Sequence, residues 1–217
     1  MIFAIMVIND AYWDNLIAAY MDGSASPSEV RSLLKAVKTN PSLREMMDVL
    51  AQVDEAEGDA YPMFRMAAET KDNLCDFLCE LFILRQRNIP FDKDELLSIA
   101  RKNGWVQPSG TPLHAIGQLL ASQGLTVTRR YDASLQDIQT ALAAMKSVIA
   151  VIDSDKIYPE RPDEEDAPNH AVVVLAVDES KETITLYEPD AYSTLDFSLP
   201  DFLAGWHESK NYLVSIN

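Results

Sequence analysis

Hydrophobic residues change their spacing partway along this chain, and the change divides it. Between residues 12 and 54 apolar positions recur at helical intervals, Val30, Leu33, Leu34 and Val37, then Leu43, Met46, Met47 and Leu50. Each run opens on capping chemistry. Ser26 with Pro27 at the first helical position and Glu29 three residues after the serine form a capping box, and Asn40 with Pro41 repeats the device. The acidic stretch VDEAEGDAYP, residues 53 to 62, breaks the periodicity with a Gly and a Pro. A boundary there gives a helical unit over 1–55 and a second domain over 63–217. In that domain the spacing predicts helices over 73–88, 92–103, 112–123 and 134–145, the last capped by Ser134. Only then do strand patterns appear, at 147–153, 170–178, 183–188 and 211–216, with 124–130 as a further edge strand. Helices followed by antiparallel strands, without βαβ alternation, predict an α+β fold.

Composition narrows the setting. With 47% hydrophobic residues in 217 the chain can bury a core, so a soluble globular protein is expected. Its 34 acidic against 18 basic residues, a net charge of -16, work against contacts to nucleic-acid phosphates or an anionic membrane. The apolar start, MIFAIMVI, is too short to span a bilayer and lacks the basic flank and cleavage site of a signal peptide. It reads as a buried strand or a packing tail. No glycine loop for phosphate, zinc quartet or dinucleotide fingerprint occurs, so neither a cofactor nor a metal is expected. GTPLHAIGQLLASQGL, residues 110–125, imitates an ankyrin signature, but nothing else in the chain repeats it. Thr111 then reads as an N-cap with Pro112 behind it, and His114 as a surface or packing histidine. Trp206 and His207 fall in a last helix packed on the sheet.

The two cysteines, Cys75 and Cys79, sit one helical turn apart in DNLCDFLCELFILR. A bond between them would close too small a loop to stabilise anything, and a reduced, cytoplasmic setting follows. Leu74, Phe77, Leu78, Leu81, Phe82 and Leu84 leave this helix almost no polar face, which sends it through the middle of the domain. Asp72 or Asn73 can cap it. Cys75 then lies in the first turn, where unpaired N–H groups and the helix dipole favour a thiolate, while Cys79 lies deeper. Taken alone, both cysteines fit a core equally well. Far downstream His170 opens the apolar strand NHAVVVLAVD, and the next strand ends in LYEPD, offering Glu188 or Asp190 at the same edge. A nucleophilic thiol needs an imidazole to take its proton and a polar group to hold that imidazole.

From about residue 69 to 217 the chain resembles the papain-like cysteine peptidases of the bacteriocin-leader-processing type and their stand-alone relatives. The matching segments are CDFLCELFIL, GWVQPSGT, SVIAVID, NHAVVV and YEPD, in the family's order. The resemblance implies a bacterial thiol hydrolase acting on peptides, with a central helix packed on an antiparallel sheet. It makes Cys75 the nucleophile, His170 the base and Glu188 the orienting residue, with Asn169 or Asp190 as substitutes. Two positions depart from the pattern. Glu69 stands where the family carries a Gln whose amide helps hold the oxyanion, and Glu188 is one methylene longer than the usual acid. A carboxylate cannot donate that hydrogen bond, and losing such a donor costs about 3 kcal/mol. A second reading therefore stands beside the hydrolase: a catalytically degenerate relative that binds a peptide or a partner protein.

Two further stretches bear on partners. Glu160, Asp163, Glu164, Glu165 and Asp166 crowd the loop before His170; they form either a solvated surface loop or a feature that raises the His170 pKa and favours cationic peptides. LIAAYMDGSASPSEVRSLLKAVKTNPSLREMMDVL is similar to the helical start of bacterial anti-sigma factors. No His or Cys precedes Cys75, so zinc-binding versions are excluded and a protein-docking unit is the expectation.

Overall fold

The computed structural model describes residues 10–21, 29, 32, 33, 36, 37, 40, 43, 74–157, 170–189 and 193–217. The chain divides into two compact units, Met1–Glu69 and Thr70–Asn217.

In the first unit helix α1 spans Asp10–Met21 and buries Leu16 and Ile17. Leu33, Val37 and Leu43 are buried as well, on the apolar spacing of the sequence. Asn40 marks a junction between helical segments. Its N–H donates to the Ala36 carbonyl at 2.8 Å, and its Oδ1 accepts the Leu43 N–H at 3.4 Å, the geometry of an N-cap. The Ser26 cap, the 53–62 boundary and the apolar first residues lie outside the described residues.

The second unit is α+β. Six strands, β1 (Val127–Arg130), β2 (Ser147–Ile152), β3 (His170–Asp178), β4 (Thr183–Glu188), β5 (Ser193–Ser198) and β6 (Leu213–Ile216), form one sheet in the order β1-β6-β2-β3-β4-β5. Every neighbouring pair is antiparallel. The pleat sorts the side chains of the two central strands. Val148, Ala150 and Ile152 of β2, with Val172 and Val174 of β3, join a core against Ile138, Phe202 and Trp206. Those come from helices Leu135–Ala143 and Leu199–Glu208. Ala171 and Val173 turn the other way, and on that side helix α2 (Cys75–Gln86) packs on β3. Both faces of the central strands are therefore covered, which is why they read as unbroken apolar runs rather than alternating ones.

Helix α3 (Lys93–Lys102) falls within the predicted 92–103 and buries Leu96, Leu97 and Ala100, and Asp92 caps it by accepting the Glu95 N–H at 2.9 Å. Ser134 caps the 135–143 helix in a full capping box with Asp137. Trp206 and His207 fall in the last helix, where Trp206 is buried and donates its ring N–H to the Tyr212 carbonyl at 2.8 Å. Gly205 of that helix approaches so closely that a Cβ there would meet the Asp153 carbonyl at 2.8 Å.

Three expectations are corrected. The helix predicted over 112–123 is broken into a 3-10 turn, Leu113–Ala115, and a short helix α4, Gln118–Ser122. Between them Gly117 takes φ +80°, and a Cβ there would lie 2.9 Å from Val127 Cγ1, so contact with β1 turns the chain out of the helix. Thr111 and Pro112 accordingly precede a turn and do not cap a helix, and His114 is exposed. The N-cap position of helix α2 is Leu74, which makes no side-chain cap bond, and not Asp72 or Asn73, whose side chains lie outside the described residues. Strand β5, missed in the sequence, is a half-polar edge strand over STLDFS with Phe197 as its buried residue.

Candidate active site

Antiparallel pairing of β3 and β4 brings the start of one strand beside the end of the other, and so His170 beside Glu188. The His170 Nε2 lies 2.8 Å from Glu188 Oε1 and 2.9 Å from Oε2, with both side chains almost wholly buried. A carboxylate accepts, so this nitrogen carries the proton shared with Glu188, and Nδ1 lies on the other side of the ring. Of the three candidate orienting residues, Glu188 contacts the imidazole; Asn169, Asp190 and the acidic 160–166 loop lie outside the described residues, as does Glu69.

Cys75 approaches the same strand from α2. Its Sγ accepts the Ala171 N–H at 3.4 Å, one residue beyond His170. The sulfur's partner is thus the backbone next to the imidazole and not the ring itself. Catalytic hydrogen bonds are commonly long or misaligned before substrate arrives. One turn along, the Cys79 S–H donates to the Ala171 carbonyl at 3.4 Å, so a single residue holds both thiols, and both are unbridged. Burial drives the Cys79 thiol well above its ordinary pKa, and Cys75, Asp76, Glu188 and Glu80 around it push the same way. It is an inert core thiol.

Cys75 and His170 line one cavity of about 260 Å³ together with Asp76, the 109–113 segment, Ile116, Val151 and Ala171. That is a little below the roughly 300–1,000 Å³ that buries a drug-sized ligand, and suits one side chain or head group of a longer substrate. The GWVQPSGT segment supplies one wall through Ser109, Gly110 and Thr111.

Sequence reasoning overlooked Asp76 and Glu80. Both are buried on α2, four residues apart on the same face. Burial raises Asp76 from the ordinary carboxylate range to about 7, with Glu80, Thr111 and Arg129 beside it pulling down. Glu80 is driven well above its usual value, first by burial and then by the negative charge of Asp76. Two acids so placed resist being ionised together. The Glu80 carboxylate accepts the Gly117 N–H at 3.2 Å and the Leu120 N–H at 2.7 Å, tying α2 to the start of α4. The signal was present as two acids at i,i+4 in an otherwise apolar helix, a pattern that burial must perturb.

Among the described residues no group of three His, Cys, Asp or Glu could hold a metal ion. Nor is any described helix long and apolar enough to cross a membrane. A scan against protein-family models and a search of curated proteins return no match to this chain.

Proposed function

We propose that the chain is a thiol hydrolase of the papain-like type, acting on peptides in the reducing cytoplasm. The observation that carries the reading is the buried His170–Glu188 pair, with Cys75 seated on the N–H of the very next residue and opening into the same cavity. In this reading the Cys75 proton passes to His170 Nδ1 and the sulfur attacks the substrate carbonyl carbon. The Glu188 carboxylate holds the ring through Nε2 and offsets the imidazolium charge. The C–N bond then breaks as His170 returns the proton to the leaving amine, and water, deprotonated by the same ring, releases the acyl group from sulfur. The first N–H groups of α2, which have no partner within the helix, take part of the oxyanion charge. The helical unit over 1–55 serves as a docking element for a partner protein, by its likeness to anti-sigma segments.

A second reading, a binding protein built on a degenerate peptidase scaffold, draws on Glu69, where an acid replaces the amide donor. Alkylation separates the two. Iodoacetamide labelling of Cys75 between pH 5 and 9, located by mass spectrometry, should be fast at pH 6 and lose that rate in His170→Ala if a thiolate–imidazolium pair forms. Slow labelling with a midpoint near 8.5 or above, unchanged in the variant, would leave the binding protein.

A further inference from the structure

The cavity beside Cys75 holds polar groups that the hydrolytic steps leave unused. Asp76 is 2% exposed and lines the cavity, yet among the described residues its Oδ1 has no hydrogen-bond partner. Thr111 lines the same cavity, and its buried Oγ1 likewise completes no hydrogen bond among the described residues, although it faces the Asp76 carboxyl closely enough to ease ionisation. Buried polar atoms are nearly always satisfied, so two orphans on one cavity wall mark a place where something binds. The remaining walls are apolar: Pro112, Leu113, Ile116 and Val151.

The surrounding charges say what binds. Glu80, one turn from Asp76, adds a second acid to the same helix face, with its oxygens committed to Gly117 and Leu120. Arg129 is the cation that acts on Asp76; its Nε is held by the Ile116 carbonyl at 2.7 Å, its buried Nη2 completes no hydrogen bond among the described residues, and it does not line the cavity. Tyr212, whose hydroxyl donates to the Leu113 carbonyl at 2.7 Å, brings no positive charge. On the cavity side Asp76 therefore has an acceptor to offer, and no cation among the cavity's lining residues meets it. Apolar walls around a terminal acid fit an alkyl stem ending in a positive group.

We propose that Asp76, with Thr111 beside it, is the specificity-determining group of this cavity and takes the cationic end of a lysine- or arginine-like substrate side chain. The inference rests on the thiol-hydrolase reading and names its substrate class. The cationic group donates to Asp76 Oδ1 and to Thr111 Oγ1, while its stem lies along Leu113 and Ile116.

Charge-matched thiol reagents test this at Cys75 without knowledge of the substrate. The protein is treated with aminoethyl, methyl and sulfonatoethyl methanethiosulfonate. These carry positive, no and negative charge, and each transfers its thioalkyl group to the thiolate with loss of methanesulfinate. Rates at Cys75, separated from Cys79 by fragment-ion mass spectrometry, are normalised to those of a free small thiol in 0.5 M salt, which screens distant surface charge. The cationic reagent should lead the anionic one by about tenfold or more, as a partly buried unit charge at short range provides. Asp76→Asn should bring the ratio close to that of the free thiol, and Thr111→Val should lower it in part. A ratio unchanged by Asp76→Asn would overturn the subsite, leaving the orphan atoms to an internal water, while the reactivity of Cys75 and the hydrolase reading would stand. Failure of all three reagents to label Cys75 would end both together.

Discussion

Cys75 and Cys79 lie on one helix, one turn apart, and both bond to residue 171 at the same 3.4 Å. Cys75 borders a cavity that His170 also lines, whereas Cys79 is wholly buried, and burial first, then the charges of Cys75, Asp76, Glu188 and Glu80, push its thiol pKa well up. Two residues of the same type, in the same helix and against the same peptide unit, thus diverge through their surroundings alone. A thiol acquires chemistry when the chain leaves space in front of it and an imidazole beside that space. Without either, it is a small apolar side chain.

Four measurements break or sharpen this contrast. The largest effect belongs to Glu188→Gln, which replaces the acceptor on His170 Nε2 with an amide able to impose the wrong tautomer. Peptide hydrolysis by a site of this kind should fall by roughly two to four decades in kcat. An unchanged kcat would strip Cys75 of its distinction. Next is the labelling ratio in the native protein: iodoacetamide at pH 8 should modify Cys75 at least about a hundredfold faster than Cys79, whose exposure requires local unfolding. Comparable rates, read by mass spectrometry, would make the thiols equivalent.

The third prediction concerns the acids that follow each thiol. The folded-state pKa of Asp76 is raised to about 7 from an unfolded value near 3.8, so the native state holds more protons than the unfolded chain across that interval. This contribution is therefore most favourable below about pH 4 and is lost as pH rises toward 7. The hydrogen bond with Glu80, together with Thr111 and Arg129, moderates the Asp76 shift, while Glu80's own carboxyl, driven up by burial and by the Asp76 charge, adds a contribution of the same sign. Thermal melting of Asp76→Asn should match the native protein near pH 4 and exceed it at pH 8. A variant less stable at pH 8 would show that the acid is better satisfied than its geometry indicates. The smallest effect is that of Cys79→Ala, which removes one buried sulfur. It should lower stability by about 1–2 kcal/mol in urea unfolding and leave Cys75 labelling unchanged. A change in that labelling would show that the deeper thiol helps set the nucleophile.

The elements that bury a strong pattern were legible from the sequence. Helix α2 and strands β2, β3 and β4 emerge at or near their predicted bounds because long apolar runs leave few alternatives. The His170–Glu188 encounter followed from reading two adjacent strands as a hairpin. What escaped was set by tertiary contact. The bend at Gly117 arises from β1 pressing on it, and β5 exists because β4 offers an edge to a strand of modest hydrophobicity. Asp76 and Glu80 were passed over because the apolar run around them carried the reading of this helix, and what the second acid does there depends on the arrival of α4 at Gly117 and Leu120.

The peptide unit of residue 171 has an evolutionary consequence. The imidazole of His170 and the N–H that holds the Cys75 sulfur are neighbours in sequence, and their register is fixed by the apolar run Ala171–Val174, which pairs with β2 from His170 onward. A codon inserted between His170 and Val174 would turn the following residues to the opposite face of the sheet and part the imidazole from the N–H that holds the sulfur in a single step. Within this strand, drift is thereby confined to identity, and length is fixed.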